Sequence, residues 1–389
     1  MPRLRSLVFA CVVWLILVIA SLMGPIQSSA RTWHVDKDGF GDAPTIQAGV
    51  DSAEGGDTVL VGAGTYFENV DTREKSLTLK SLAGAQSTII DGQQHGPVLL
   101  ITGDAEVRGF TIRNGLNEDG GGLRLNGKLD QFIRCTVVDN IITGNRAGYN
   151  VDEGQGGGLL LLYTTDVLIQ NNVFTGNYAG DSGGGIYGAI PRLTQVLNNT
   201  FIENGCHVCG GAISGGVSYV QGNLFLRNWS DSFGGALCGY FGPITNNTIV
   251  MNYINNGTFT QGAGIHTLGS TPMIERNIVA LNHGPAGTTG VGIRCATSDG
   301  TIIIRCNDVW GNDVDYELVA GCDSTGNFSL DPLFCDQGAD NFDLSSMSPC
   351  TEAHSPTCGP AGAFTVGCGV VGVRQITWGR IKTLYGLGN

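Results

Sequence analysis

Asn172-Val173-Phe174-Thr175-Gly176-Asn177, Asn199-Thr200-Phe201-Ile202-Glu203-Asn204 and Asn223-Leu224-Phe225-Leu226-Arg227-Asn228 are three copies of one pattern, Asn-x-apolar-x-x-Asn. Further copies are Asn140/Ile142/Asn145, Asn247/Ile249/Asn252, Asn277/Val279/Asn282 and Asn307/Val309/Asn312, and Gly109/Thr111/Asn114 is a degenerate earlier one. Successive copies are 24 to 32 residues apart. A second pattern, Gly-Gly-small-apolar, falls between them. It occurs at Gly120-Gly121-Gly122-Leu123, Gly156-Gly157-Gly158-Leu159, Gly183-Gly184-Gly185-Ile186, Gly210-Gly211-Ala212-Ile213 and Gly234-Gly235-Ala236-Leu237. Looser copies are Gly262-Ala263-Gly264-Ile265 and Gly290-Val291-Gly292-Ile293. The two patterns alternate strictly from Gly109 to Asn312.

Helical and leucine-rich repeats need longer amphipathic segments than these motifs leave room for. Short apolar runs bounded by Gly and Asn read as strands. A repeat of this length with several short strands makes one coil of a solenoid. The reading is all-β: a single-stranded right-handed parallel β-helix with a short N-terminal capping helix. Coils stack at ~4.8 Å, so like residues lie above like. Phe174, Phe201 and Phe225 are expected as an inward ladder. The repeated Asn suits tight turns because it tolerates left-handed backbone, and stacked amides bond from coil to coil. Glycine supplies backbone shapes that a Cβ forbids.

Working outward, the ends of such a solenoid expose strand edges and need covers. Thr45 to Ala53 reads as a short amphipathic helix ahead of Asp57-Thr58-Val59-Leu60-Val61, with strand-like runs at 76–80 and 87–91. After Asn312 the chain becomes cysteine-dense. The expected organisation is a signal peptide over 1–30, an N-terminal cap over 31–56, the β-helix over 57–312, irregular last coils and a cysteine-rich cap over 313–370, and a tail over 371–389. Arg3 and Arg5 precede an apolar run from Leu7 to Ala20, and Ser28-Ser29-Ala30 is a small-residue cleavage site. This reads as a secretory leader cut after Ala30, with an uncleaved anchor as the alternative. The apolar stretch before Cys11 is too short for a lipoprotein site. No second long apolar run occurs, so no stable membrane span is expected after cleavage.

With Arg3 and Arg5 set aside, residues 31–389 carry 19 basic and 34 acidic side chains, a net charge of −15. Such a surface repels nucleic acid and anionic lipid. Eleven cysteines remain after Cys11, seven of them in the last 100 residues, and in an oxidising compartment they read as staples. An odd number leaves at least one unpaired within the chain. Asn-x-Ser/Thr sites at Asn198, Asn228, Asn246, Asn256 and Asn327 matter only in a eukaryotic host.

The sequence resembles bacterial right-handed β-helix proteins of the pectin-lyase-like superfamily. Gly41-Asp42-Ala43-Pro44-Thr45-Ile46-Gln47, Gly64-Thr65-Tyr66-Phe67-Glu68 and Thr88-Ile89-Ile90-Asp91-Gly92 look like the opening of that fold. Phe-x-x-Asn paired with Gly-Gly-Ala-Ile/Leu is similar to the repeats of chlamydial polymorphic outer-membrane proteins, which implies a surface or adhesive role. Together the resemblances span roughly residues 33–350, and they speak to fold more than to activity. The Gln-Asp-Thr and Asp-Phe-Ile-Phe-Gly segments of pectinesterases are missing. So are the Asp-Asp and Gly-His-Gly of polygalacturonases and the Arg-x-Pro-x-x-Arg of pectate lyases. Arg380-Ile381-Lys382 matches a polygalacturonase triplet but stands outside any coil, and Trp378 to Lys382 reads alternatively as a sorting tail. The residues after the repeats leave no room for an autotransporter's C-terminal membrane barrel.

Four groups of residues are candidates for function. Asp36, Asp38 and Asp42 place carboxylates on a Gly-bent loop, either an ordinary turn or a calcium site. Cys206-His207-x-Cys209 with Cys238 has zinc-ligand chemistry, and a disulfide is the competing reading. Glu118, Asp119, Asp152, Glu153, Asp181 and Asp231 recur in the loops before each Gly-Gly. Two such carboxylates at ~5–10 Å would suffice to hydrolyse a glycosidic bond, whereas acids in exposed loops are commonly solvated turns. Directly after the motif's second Asn stand Tyr178, Trp229, Tyr253 and His283, with Arg146 and Gly205 at the same position. In register these would form an outer row suited to sugar rings. The leading expectation is a secreted or cell-surface protein that binds an extracellular polysaccharide or glycoconjugate without cleaving it. A polysaccharide lyase or glycoside hydrolase, and a structural envelope protein, are the alternatives.

Overall fold

The computed structural model describes residues 29–255, 261–269, 273–285, 290–295, 302–318, 321–355 and 357–368. The leader up to residue 28, the tail 371–389 and Asn256 lie outside them. Every coil pairs in parallel with the next, and the chain is a right-handed parallel β-helix. Four stacks of strands run its length. Sheet I has twelve strands, from Thr32–Val35 to Cys322–Thr325. Sheet II has ten, from Gly64–Phe67 to Asp308–Trp310. Sheet III has six two-residue strands, from Leu116–Asn117 to Tyr253–Ile254. Sheet IV has ten, from Val70–Asp71 to Val314–Leu318. One coil runs Val167–Gln170 in sheet I, Val173–Thr175 in II, Tyr178–Ala179 in III and Ile186–Gly188 in IV.

The interior is columns of like residues. Phe174, Phe201 and Phe225 stand in register, fully buried, with ring centroids 4.8 and 4.9 Å apart and planes within 10°. Ile142 and Ile249 extend their column in the two directions.

Two amide ladders stiffen the corners on either side of sheet II. One joins Asn140, Asn172, Asn199, Asn223, Asn247, Asn277, Asn307 and Asn327, and the other joins Asn145, Asn177, Asn204, Asn228, Asn252, Asn282 and Asn312. Asn199 is representative. Its Nδ2 donates to Asn223 Oδ1 at 3.1 Å and to the Ile169 carbonyl at 2.8 Å. Its Oδ1 accepts from both the main-chain and the side-chain nitrogen of Asn172. Aspartate has no protons to offer here, and no apolar residue satisfies the corner.

The ladder asparagines are not the left-handed residues, contrary to expectation. The residue before each one takes the positive φ, as Asn171 (56°), Asn198 (54°), Asn246 (53°), Met251 (57°) and Leu281 (58°) do. This explains the doubled Asn171-Asn172, Asn198-Asn199 and Asn246-Asn247: the first tolerates αL, and the second turns inward to bond. The Asn228 sequon is also spent in the ladder, its side chain fully buried. The Gly-Gly pairs form the corner between sheets III and IV. A Cβ on Gly157, Gly184 or Gly211 would stand 2.4, 2.3 or 2.2 Å from the carbonyl oxygens of Tyr178, Gly205 or Trp229.

The capping helix is Ile46–Ser52, with Thr45 as N-cap and Ile46 and Val50 turned into the core. Glu68, from the Gly-Thr-Tyr-Phe-Glu stretch, accepts from the amides of Ile46 and Gln47 at 2.9 Å each. That contact ties the two opening motifs to each other.

Regular pairing continues past the expected boundary at residue 312. Val314–Leu318 joins sheet IV and Cys322–Thr325 joins sheet I. The cysteine-rich segment then folds back along the outside of sheet II. Phe342, Leu344, Cys350 and Ala361 cover Ile202, Leu224, Leu226, Val250, Ile278 and Ala280. Arg227 grips Asp340 through two bonds of 2.7 and 3.0 Å, and Cys306–Cys358 bolts the segment down. It is a side strap, not the end cap foreseen, because these sheet II strands are apolar on both faces and their outer face needs cover. Cys209–Cys238, Cys295–Cys322 and Cys335–Cys368 are also bonded. Cys135, Cys206 and Cys350 are free and buried. Burial pushes the Cys135 thiol up to about 12, which leaves it unreactive.

Candidate glycan-binding row

Sheet III carries the row. Arg146, Tyr178, Gly205, Trp229 and Tyr253 occupy one register position in successive coils, and His283 bridges to Tyr253. The Asn before each turns inward, so the next side chain turns outward. The Arg146 guanidinium lies 4.9 Å over the Tyr178 ring, and Tyr178 meets Trp229 at 5.9 Å with planes tilted 35°. The indole spans the coil between them by lying over Gly205, where a Cβ would be 2.1 Å from its Cε2. Tyr253 stacks on His283 at 5.7 Å and 14°. The row therefore divides between Trp229 and Tyr253, each leaning toward its own partner. All three large rings are half-buried. Burial pushes both phenols up. Arg146 opposes the rise at Tyr178, and the charge of Asp231 reinforces it at both rings.

The acidic loops stack beside the row, and their carboxylates are engaged in local bonds. Asp119 accepts from the Gln155 amide at 3.0 Å. Asp181 accepts from the Gln155 side chain at 3.1 Å and from Ser182 at 3.0 Å. Glu153 accepts from Asn150. Asp152, from the loop two coils before His207, and Asp231, one coil after it, hold its imidazole at 3.2 and 2.8 Å, and Asn255 also donates to Asp231. A carboxylate pair that cleaves a glycosidic bond needs the bond between the two groups. Here His207 stands between Asp152 and Asp231.

Sequence reasoning weighed Cys206, His207, Cys209 and Cys238 as zinc ligands against a disulfide, and saw no role for His207 outside that group. Cys209 is bonded to Cys238, and Cys206 points inward against Ala147 and Ala179 while His207 points out. Period-two alternation along the strand was the signal that separates them. In the Asp36 loop, Asp36 accepts from the Asp38 amide at 2.8 Å, Asp42 from the His34 amide at 2.9 Å, and Asp38 pairs with Lys37. The three carboxylates brace a turn around Gly39. Among the described residues no group of three His, Cys, Asp or Glu is placed to hold a metal. Two open recesses of about 440 and 420 Å³ lie elsewhere, along sheet I; Glu106, Arg134 and Asp166 line the first, and Arg108 and Asp139 line the second.

Fold and row define a right-handed parallel β-helix protein with an outward aromatic ladder. Residues 121–309 match the family described as right handed beta helix region. No curated protein matches the chain. Among solved structures, the chain is similar to a mannuronic acid specific polysaccharide family 6 lyase from human gut microbiota. Identity is 14%, with 77% of this chain and 87% of that one covered at a TM-score of 0.36. At that distance the likeness carries no argument about activity.

Proposed function

We propose that the row Arg146, Tyr178, Trp229, Tyr253 and His283 docks an extracellular polysaccharide and that the protein holds it without cleaving it. The observation that carries this reading is the register: five side chains from different coils stand at one outward position along the solenoid axis. Each coil advances the row by ~4.8 Å, close to the length of one sugar residue. Indole and phenol edges present apolar surface with polar tips, which suits the faces and hydroxyls of sugar rings. His207, seated between Asp152 and Asp231, favours holding over cleavage. Four disulfides are consistent with an oxidising, extracellular setting, and among the described residues no helix is long and apolar enough to cross a membrane.

The test is a glycan array run beside a reducing-end release assay on every polysaccharide that responds. Binding without release is the expected result. Release from a bound polysaccharide would make the protein a polysaccharide-cleaving enzyme, and silence in both assays would leave an envelope spacer.

A further inference from the structure

The row's spacing restricts the shape of a chain that lies on it, and its surroundings restrict the charge. Arg146, Tyr178, Gly205, Trp229, Tyr253 and His283 are six successive positions in one parallel register, five coil steps or ~24 Å from end to end. The Trp229 indole lies over Gly205, so the position without a side chain is also covered by a ring. In-register stacking keeps these positions in line and at one pitch. A flat, two-fold, β-linked sugar chain also runs straight, and each of its residues advances by close to one coil step. A wound, α-linked chain turns its rings away from a straight row within a few residues.

Cations are scarce here. From residue 147 to residue 275 the chain has two, Arg192 and Arg227. Arg192 lies over the Phe132 ring, on the turn between sheets IV and I. Arg227 precedes the row in sequence but is turned to Glu203 and Asp340. Arg146, at the start of the row, stacks on Tyr178 and donates to the Gly148 carbonyl at 3.0 Å. A uronate or sulfate lying along Trp229 and Tyr253 would therefore meet no uncommitted lysine or arginine among the described residues.

Acids are closer. Burial raises both phenols, and beyond it the charges of Asp231 and Asp152 raise Tyr178 against Arg146, while those of Glu203 and Asp231 raise Tyr253. Such a field repels an anionic chain. The same acids are not free to pair with an amine. Asp152 and Asp231 hold His207, and Glu203 accepts from Arg227. A sugar without charge meets neither penalty.

We infer that the row takes a linear, uncharged, β-linked polysaccharide stretched along the solenoid axis, with about one sugar per coil and about six in contact. This rests on the row being the binding site proposed above.

The test is calorimetric titration of the full chain with neutral β-linked oligosaccharides of two to eight residues from the cellulose, xylan, mannan and chitin series. Amylose, polygalacturonate and dextran sulfate are titrated beside them. At least one neutral β-linked series should bind, with affinity rising about tenfold or more from trimer to hexamer and level beyond it. Tyr253→Ala with His283→Ala, checked by melting to be folded, should bring the plateau down to the tetramer. A series already at full affinity by the trimer, or a plateau that the double variant leaves in place, overturns the inference. So does preference for amylose, polygalacturonate or dextran sulfate, a result that would leave the docking function itself standing. Binding of none of these sugars removes both.

Discussion

Asn199 uses both its amide protons and both lone pairs of its oxygen inside the protein, and that saturation makes it irreplaceable. Asn199→Asp would set a carboxylate against the Ile169 carbonyl and Asn223 Oδ1. Leaving such buried groups unpaired costs ~1–3 kcal/mol each, and a buried charge adds to that. The expected outcome is a loss of at least ~3 kcal/mol, seen as faster hydrogen exchange in the coils of Asn172 and Asn223. Unchanged exchange there would contradict the ladder account. Asp308 gives the pH counterpart. It is buried, accepts from the Cys350 thiol at 3.0 Å and from the Leu330 amide at 3.1 Å, and burial pushes its carboxyl up to about 6 from 3.8. A raised carboxyl stabilises the fold fully below 3.8 and loses that contribution as pH rises through 6. Asp308→Asn should therefore gain stability over wild type as pH rises from 4 to 7, by an amount on the order of 2 kcal/mol. The comparison must be between variants. Buried His266, lowered to about 4 by burial and by Arg294, imposes the opposite trend on the absolute curve. An identical pH profile for the two proteins in urea unfolding would refute the assignment. At this scale the sequence disclosed which residues recur but not which of them bends the chain. Asn198 and Asn199 look alike until bonding separates an αL residue from a ladder amide.

The strands show how far pattern reading reaches and where it stops. The Phe174–Phe201–Phe225 column was legible because spacing alone forces like over like. Phe201→Ala should leave a cavity between two stacked rings and cost ~3–5 kcal/mol. Coupling in a solenoid is between neighbours, so lost protection should be confined to the adjacent coils. Uniform loss along the chain would contradict that picture. The strap was not legible, although its signal was present. Early strands of sheet II, such as Thr111-Ile112-Arg113, are polar on one face, whereas Leu224-Phe225-Leu226 and Ile278-Val279-Ala280 are apolar on both. A strand apolar on both faces must be covered twice, and the cysteine-rich segment is the cover. The row was legible as a register position. Its division into two leaning groups was not, because it depends on the indole lying over Gly205.

Across the whole molecule, one repeat produces a buried column, two amide ladders and an outward row, all in register because the coils are. That common register makes the row's function separable from its stability. Gly205→Ala would bring a Cβ within 2.1–2.5 Å of the Trp229 indole and push the ring out of line while leaving the core columns intact. Affinity should fall without the indole being removed. The most direct measurement is calorimetric titration of wild type, Trp229→Ala and Gly205→Ala with a polysaccharide that responds on the array, alongside thermal melting of each. The account predicts that Trp229→Ala abolishes binding and Gly205→Ala weakens it at least tenfold, with melting temperatures within a few degrees of wild type. If Trp229→Ala instead unfolds the protein, with residual binding proportional to the folded fraction, or if both variants bind as wild type does, the row is structural and the platform is wrong.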